Sequence, residues 1–404
     1  MSLSDVVLDA QFLADPFPSY ARFRATAPVR PVLTPDGVRV WLVTRYADVR
    51  AALADPRLSK DLAGLDQMYR RHTQPGRVVR QVANAVGKHM LASDPPEHTR
   101  LRTLVGRAFT GRRIDQLRPT TERLSTGLLD RLAGRPEVEL IADYAFPLAI
   151  GVICELLGLP ATEQEQFQRW TQEYNSSGSA TVVNAAAGKL AGYLRDLLGR
   201  KRREPGDDLL TGLIQARDAE DRLSEDELVS MVFLLLSAGH ETTINLIANG
   251  MFALLRHPKQ FATLRAQPEL LPSAVEEFLR FDGPINTPTI RFTTETVRIG
   301  EVDVPAGELV LVSVASANRD SDRFYEPDRL DITRPAAGHI AFGHGVHFCL
   351  GAPLARQEAT VAFRHWLNRY IRIDLAVPAE TLRYRHSLMM RGLETLPLHV
   401  GERD

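Results

Sequence analysis

The run Phe342-Gly343-His344-Gly345-Val346-His347-Phe348-Cys349-Leu350-Gly351-Ala352-Pro353 gathers residue types that do chemistry only when held in a fixed shape. A cysteine binds metals as its thiolate, which needs donors or positive charge nearby to stay ionised. Pro353 suits the first turn of a helix, predicted over Leu354–Trp366. Cys349 then stands at that helix's N-terminus, where backbone N–H groups stabilise a sulfur anion. Gly343, Gly345 and Gly351 let the chain turn tightly and approach a flat cofactor closely, and Phe342 can shield the sulfur from water. Most lone cysteines are small core hydrophobes, and Cys154, which has no such surroundings, is read that way. Around Cys349 the coincidence of Phe, spaced Gly, His and Cys-x-Gly makes that plain core reading improbable and points to a thiolate held in a fixed shape. A zinc site from His339, His344, His347 and Cys349 is the competing reading, and it leaves Phe342 and Gly351 without a purpose.

A second candidate centre lies in Ala238-Gly239-His240-Glu241-Thr242-Thr243. An acid in an apolar helix centre is unusual unless it functions. Thr242 can donate back to the carbonyl of Ala238 and loosen the helix locally, and the small Ala238 and Gly239 would leave room beside it. The helix that carries this stretch is well marked. Ser224 and Glu227 form a capping box, and the pattern runs to about Arg256 before His257-Pro258 stops it, roughly 50 Å in all. Glu277 and Arg280, three apart, share a helical face, and so do His98 and Arg102, four apart, in a helix opened by Pro95-Pro96.

The rest of the chain must position these groups. Helical patterns dominate, with a hairpin expected around Pro35-Asp36-Gly37, a β-rich stretch from Thr289 to Val314 turning at Pro305-Ala306-Gly307, and strand character from Leu388 to Val400. Asn175–Ser179 reads as a mobile loop between helices. With 404 residues and 44% hydrophobic content, and no linker or repeat, the expectation is one α-dominated domain over 1–404 with small sheets attached. The balance of 49 basic and 50 acidic residues supplies no field that would select nucleic acid or a membrane. Two distant cysteines argue against a disulfide framework. No signal peptide is read at the N-terminus, and the longest apolar run, Met231–Ala238, is far short of a membrane span. A cytoplasmic protein, without membrane or nucleic-acid partners and acting as a monomer, is expected.

The cysteine segment resembles the Phe-x-x-Gly-x-x-x-Cys-x-Gly signature of the cytochrome P450 family, and the resemblance extends over nearly the whole chain. It implies the P450 fold, mainly α with small β-sheets, with haem b between a long distal helix and the helix after the cysteine loop. By the same resemblance Cys349 is the axial ligand, Phe342, Gly345, Gly351 and Ala238 border the haem, and His98, Arg102, Arg291 and His347 meet its propionates. Glu241 and Thr242 become the acid and alcohol that deliver protons for O–O cleavage. Glu277 and Arg280 join a structural network whose third member is expected to be Arg329. The reaction implied is insertion of an oxygen atom from O2 into a medium-sized molecule of secondary metabolism, such as a polyketide, macrolide, terpenoid or aromatic peptide derivative. The likeness is to the soluble actinomycete enzymes.

No dinucleotide-binding motif is present. Electrons are therefore expected from separate proteins; the resemblance implies a ferredoxin and its NAD(P)H-dependent ferredoxin reductase, and Arg100, Arg107, Arg112, Arg113 and Arg356 are expected to form a basic docking face. Topology implies a small-molecule substrate pocket drawn from Leu65–Leu91, Val232–Leu236, Ile285–Thr289 and Leu388–Met390, with Met90, Val232, Leu235, Ile285, Thr287, Leu388 and Met389 as its members. A peroxide-driven enzyme of the same fold and a non-enzymatic haem sensor are the alternatives, and neither explains the acid–alcohol pair.

Overall fold

A computed structural model describes residues 6–74, 87–175, 180–220 and 223–402. The expected loop at 175–179 falls between helices Gln164–Asn175 and Ala180–Arg203, and its residues 176–179 lie outside the described residues. Part of the Leu65–Leu91 stretch does too.

The long helix runs from Glu225 to Arg256. Its capping box is formed in both directions: the Ser224 hydroxyl accepts from the Glu227 N–H at 3.2 Å, and the Glu227 carboxylate accepts from the Ser224 N–H at 2.7 Å. Those bonds satisfy donors that a helix start leaves orphaned. The helix is buried along most of its length and packs on Phe146–Leu157, Leu271–Asp282 and Ala352–Arg369. Stretches Leu140–Leu157 and Glu225–Arg256 are apolar and long enough to cross a membrane, which the search for a continuous apolar run missed. Both are largely packed inside the protein, 72% and 67% of their apolar windows being buried, so their hydrophobicity is spent on this core. That core draws its buried residues from Met90 through to Val400.

The expected hairpin pairs Val29–Leu33 with Arg39–Val43, antiparallel, and Gly37 takes the positive φ of 78° its turn requires. The hairpin belongs to a six-stranded sheet, in the order Val6–Val7, Val29–Leu33, Arg39–Val43, Leu309–Val312, Arg291–Thr293 and Leu58–Ser59. The last pairing sets Ser59 opposite Phe292 and so brings residues 60 and 291 to one edge. Val297–Ile299 and Val302–Val304 form a separate hairpin through Gly300, a turn the sequence reading did not mark. At the C-terminal end only Pro397–Glu402 is strand, paired with Tyr370–Leu375 and Glu137–Glu139. Residues 388–396, expected as strand, instead make isolated bridges, Met390 with Ile285 and Leu393 with Tyr384.

Candidate active site

The cysteine loop is a coil stitched by its own backbone. Gly343 N–H donates to Ile340, Phe348 N–H to Gly345, and Cys349 N–H to Phe342, at 2.9, 3.0 and 2.9 Å. Gly343 and Gly345 have φ of 76° and 74°. A methyl group on Gly345 would also stand 3.0 Å from both Ala54 Cα and Leu53 O, so this position excludes other residues twice over. Gly351 is different: its φ is −79° and an added Cβ would meet only the Cys349 sulfur, at 3.8 Å. Its role is space beside the sulfur and not backbone conformation.

The helix that follows spans Ala352–Arg369, two residues earlier and three later than predicted, with Gly351 at the cap. The N–H groups of Gly351 and Ala352 lie beside the sulfur. Cys349 keeps open surface on one side while protein surrounds the rest. Burial pushes its thiol up, and those N–H groups with Arg102 and Arg356 pull it back. A coordinating metal ion removes the proton from such a thiol outright. Cys154 is fully buried and its thiol is pushed up to about 12, as a core residue should be.

The zinc alternative finds no support. His339 bonds through Nε2 to Glu276 at 3.0 Å and accepts at Nδ1 from the Ala341 N–H, and His347 packs on His98 with ring centroids 4.3 Å apart. Among the described residues no group of three or more His, Cys, Asp or Glu side chains could hold a metal ion. A metal at Cys349 would therefore take most of its ligands from a non-protein group, as iron does in haem.

The basic residues expected around the propionates do converge. Burial pushes His347 down to about 2, and the positive groups of Lys60, His98, Arg291 and Arg102 add to the effect. His98 is buried and neither ring nitrogen has a partner. Arg291 is buried too, and burial brings its guanidinium down to about 10 against the pull of Asp94. Arg102 spends one N–H on the carbonyl of Phe348, at 2.6 Å, tying helix Glu97–Ala108 to the cysteine loop. Orphaned buried donors beside clustered cations are what a site for a dianionic ligand presents, so this donor set fits haem carboxylates. Lys60 and His89, missed in the sequence, belong to the same neighbourhood.

On the long helix Thr242 donates to the Ala238 carbonyl at 3.0 Å, as expected, and Thr243 to Gly239 at 3.3 Å. Ala238 is exposed although the helix around it is buried. Gly239 does not open space beside it: an added Cβ would lie 2.8 Å from Ile153, so glycine is needed there for close packing against Phe146–Leu157. Glu241 has a partner no motif announced, Arg385, at 3.1 Å. Burial raises the Glu241 carboxyl, and Arg385 partly offsets that rise.

The structural network holds with one correction. Arg280 grips Glu277 through two hydrogen bonds of 2.7 and 2.8 Å, both side chains fully buried. Arg329, expected as third member, points its guanidinium to solvent against Glu326 and contributes only its carbonyl, which accepts from Arg280. Arg334 takes the place: it approaches Glu277 at 3.4 Å and donates to the carbonyls of Tyr325, Glu326 and Arg329. Arg280 also holds the Asn318 carbonyl, and the Asn318 side chain accepts from Ile340 N–H at the base of the cysteine loop. Beside this pair Glu276 clamps Arg356 and His339. Burial would raise its carboxyl, but those two partners bring it down to about 2.

The proposed pocket residues divide. Leu235, Ile285, Leu388 and Met389 keep accessible surface, Met389 most. Val232, Met90 and Thr287 are packed away, and Thr287 spends its hydroxyl on the Leu388 carbonyl. The expected docking arginines are largely paired. Arg100 spans Glu97 and Glu227, Arg113 meets Asp207 and Arg356 meets Glu276, while Arg107 and Arg112 are exposed.

Comparison with known proteins settles the class. The cytochrome P450 family profile matches residues 182–371. The vitamin D(3) 25-hydroxylase of Pseudonocardia autotrophica is 50% identical over 97% of this chain and 96% of its own. The cytochrome P450 monooxygenase PikC of Streptomyces venezuelae is 46% identical over 97% of this chain and 92% of its own. Among solved structures, the tirandamycin C-bound P450 monooxygenase TamI superposes with a TM-score of 0.91 at 48% identity, covering 98% of this chain and 100% of that one. The chain belongs to the cytochrome P450 family, and it is a haem-iron monooxygenase that uses O2.

Proposed function

We propose that haem b lies between the long helix and the Cys349 loop of one domain, with Cys349 as the iron's thiolate ligand. The substrate we propose is a medium-sized, largely apolar molecule of secondary metabolism, such as a polyketide or macrolide. The observation that carries the reading is the pairing of an exposed sulfur at a helix N-terminus with an exposed Ala238 on the helix packed against it.

Bound haem would supply the activation of dioxygen; the chain supplies position and protons. His98, Arg102, Arg291 and His347 would orient the haem by its carboxylates. The N–H groups of Gly351 and Ala352 would spread the sulfur's charge. Glu241, held by Arg385, would carry protons inward from solvent, and the Thr242 hydroxyl would pass them on. Leu235, Ile285, Leu388 and Met389 would face the substrate. A hydroxylase of vitamin D(3) and a tirandamycin C-bound relative support a pocket for extended apolar molecules with polar ends. Electrons would come from NAD(P)H through a ferredoxin reductase and a ferredoxin, to a monomer in the cytoplasm, with Arg107 and Arg112 as exposed members of the docking face.

The test is turnover of a macrolide and polyketide panel with a bacterial ferredoxin, its reductase, NADPH and heavy-isotope dioxygen. One labelled oxygen atom in the product is expected. Unlabelled product, or turnover with hydrogen peroxide alone at the full rate, would contradict the reading.

A further inference from the structure

The basic neighbourhood beside the cysteine loop holds one cation that the family signatures do not call for. Lys60 follows strand Leu58–Ser59 and is 2% exposed. Its backbone N–H donates to Asp94 at 3.0 Å, but among the described residues its ammonium makes no hydrogen bond or ion pair. The acidic group that acts on it, Asp94, is shared with the Ser59 hydroxyl, the Lys60 N–H and the charge of Arg291.

The groups that face Lys60 are nearly all basic. Arg291 lies across the sheet edge, His98 comes from helix Glu97–Ala108, His347 from the cysteine loop and His89 from the segment before Met90. His89 Nδ1 and both nitrogens of His98 are buried without partners. Burial pushes the histidines and Lys60 toward their neutral forms. A buried ammonium among cations is strongly disfavoured unless an anion joins it. Lys60 and Arg291 stand against Asp94 alone, and one positive charge is left over. A propionate carboxylate would balance it.

We infer that Lys60 is a haem-anchoring residue, its ammonium neutralising a propionate together with Arg291 and so fixing both haem retention and the potential of the iron. The inference rests on the haem reading. It goes beyond it by assigning to a lysine outside any motif the charge that makes the carboxylate site whole.

Two readouts on substrate-free holoprotein test it: the rate of haem transfer to excess apomyoglobin, and the reduction potential by dye titration. Lys60→Met should release haem roughly tenfold faster or more, the loss expected for one charge-assisted hydrogen bond. Its potential should fall, because removing a positive charge favours ferric iron. Lys60→Arg should restore both. Far-UV circular dichroism and the Soret band establish that each variant is folded and thiolate-ligated. Release rate and potential unchanged in a folded, haem-loaded Lys60→Met protein would overturn the inference, since a neutral, purely packing lysine predicts that result. Should the wild-type protein itself take up no haem, the haem reading fails instead, so the two failures are distinct.

Discussion

Arg334 and Arg329 make a sharp comparison, because both lie in the same coil and only one reaches Glu277. In Arg334→Ala a carboxylate with no exposed surface loses one of two cationic partners, and the carbonyls of Tyr325, Glu326 and Arg329 each lose one donor. Breaking a buried ion pair costs about 3–5 kcal/mol. Glu277 keeps its two bonds to Arg280, which places this case at the low end, about 3 kcal/mol. Arg329→Ala removes only an exposed pair with Glu326, side chains 60% and 47% exposed, while its carbonyl still accepts from Arg280. Exposed pairs contribute about 0.2–1 kcal/mol. Urea unfolding of the two variants, followed by circular dichroism and the Soret band, should show a large drop in midpoint for Arg334→Ala and a small one for Arg329→Ala. Because Arg280 and Asn318 connect the network to Ile340, Arg334→Ala should also lose haem first. Equal midpoints, or a larger loss in Arg329→Ala, would refute the assignment.

Three further outcomes follow from the site. Gly345→Ala should lower haem content sharply: a side chain at positive φ costs about 1–2 kcal/mol, and its methyl would press on Leu53 and Ala54; pyridine haemochrome assay of the purified variant measures this. Arg385→Leu removes the charge that restrains the Glu241 carboxyl, so that group stays protonated to higher pH. The pH profile of product formed per NADPH consumed should then move upward, and an unmoved profile would detach Arg385 from proton delivery. The Glu276 clamp is held at about 2 in the folded protein against an ordinary 4.5. A depressed acid stabilises fully above 4.5 and progressively less as pH falls toward 2, so Glu276→Gln should flatten acid-induced haem loss across that window.

The site was legible where chemistry fixes both residue type and spacing. Cys349 with its glycines, the Thr242 back-bond and the capping box at Ser224 all stand where the sequence put them, because each is set by contacts within a few residues. What the sequence hid depends on distant chain segments. Arg334 and Arg329 are indistinguishable by spacing, and only the course of the coil decides which turns inward. Lys60 and Arg291 meet through an antiparallel pairing of strands more than 200 residues apart. Gly239 looked like room for a ligand and is room for Ile153. The strand expected at 388–396 follows apolar composition, but those residues serve as a bridge and a carbonyl shelf for Ile285 and Thr287.

The central claim is that Cys349 binds haem iron as a thiolate, and the carbon monoxide difference spectrum of the dithionite-reduced protein tests it most directly. The account predicts a Soret band at the red-shifted position peculiar to thiolate ligation, present in the wild-type protein and absent from Cys349→Ala. A folded, haem-supplied wild-type protein without that band, or a Cys349→Ala variant that retains it, would contradict the account.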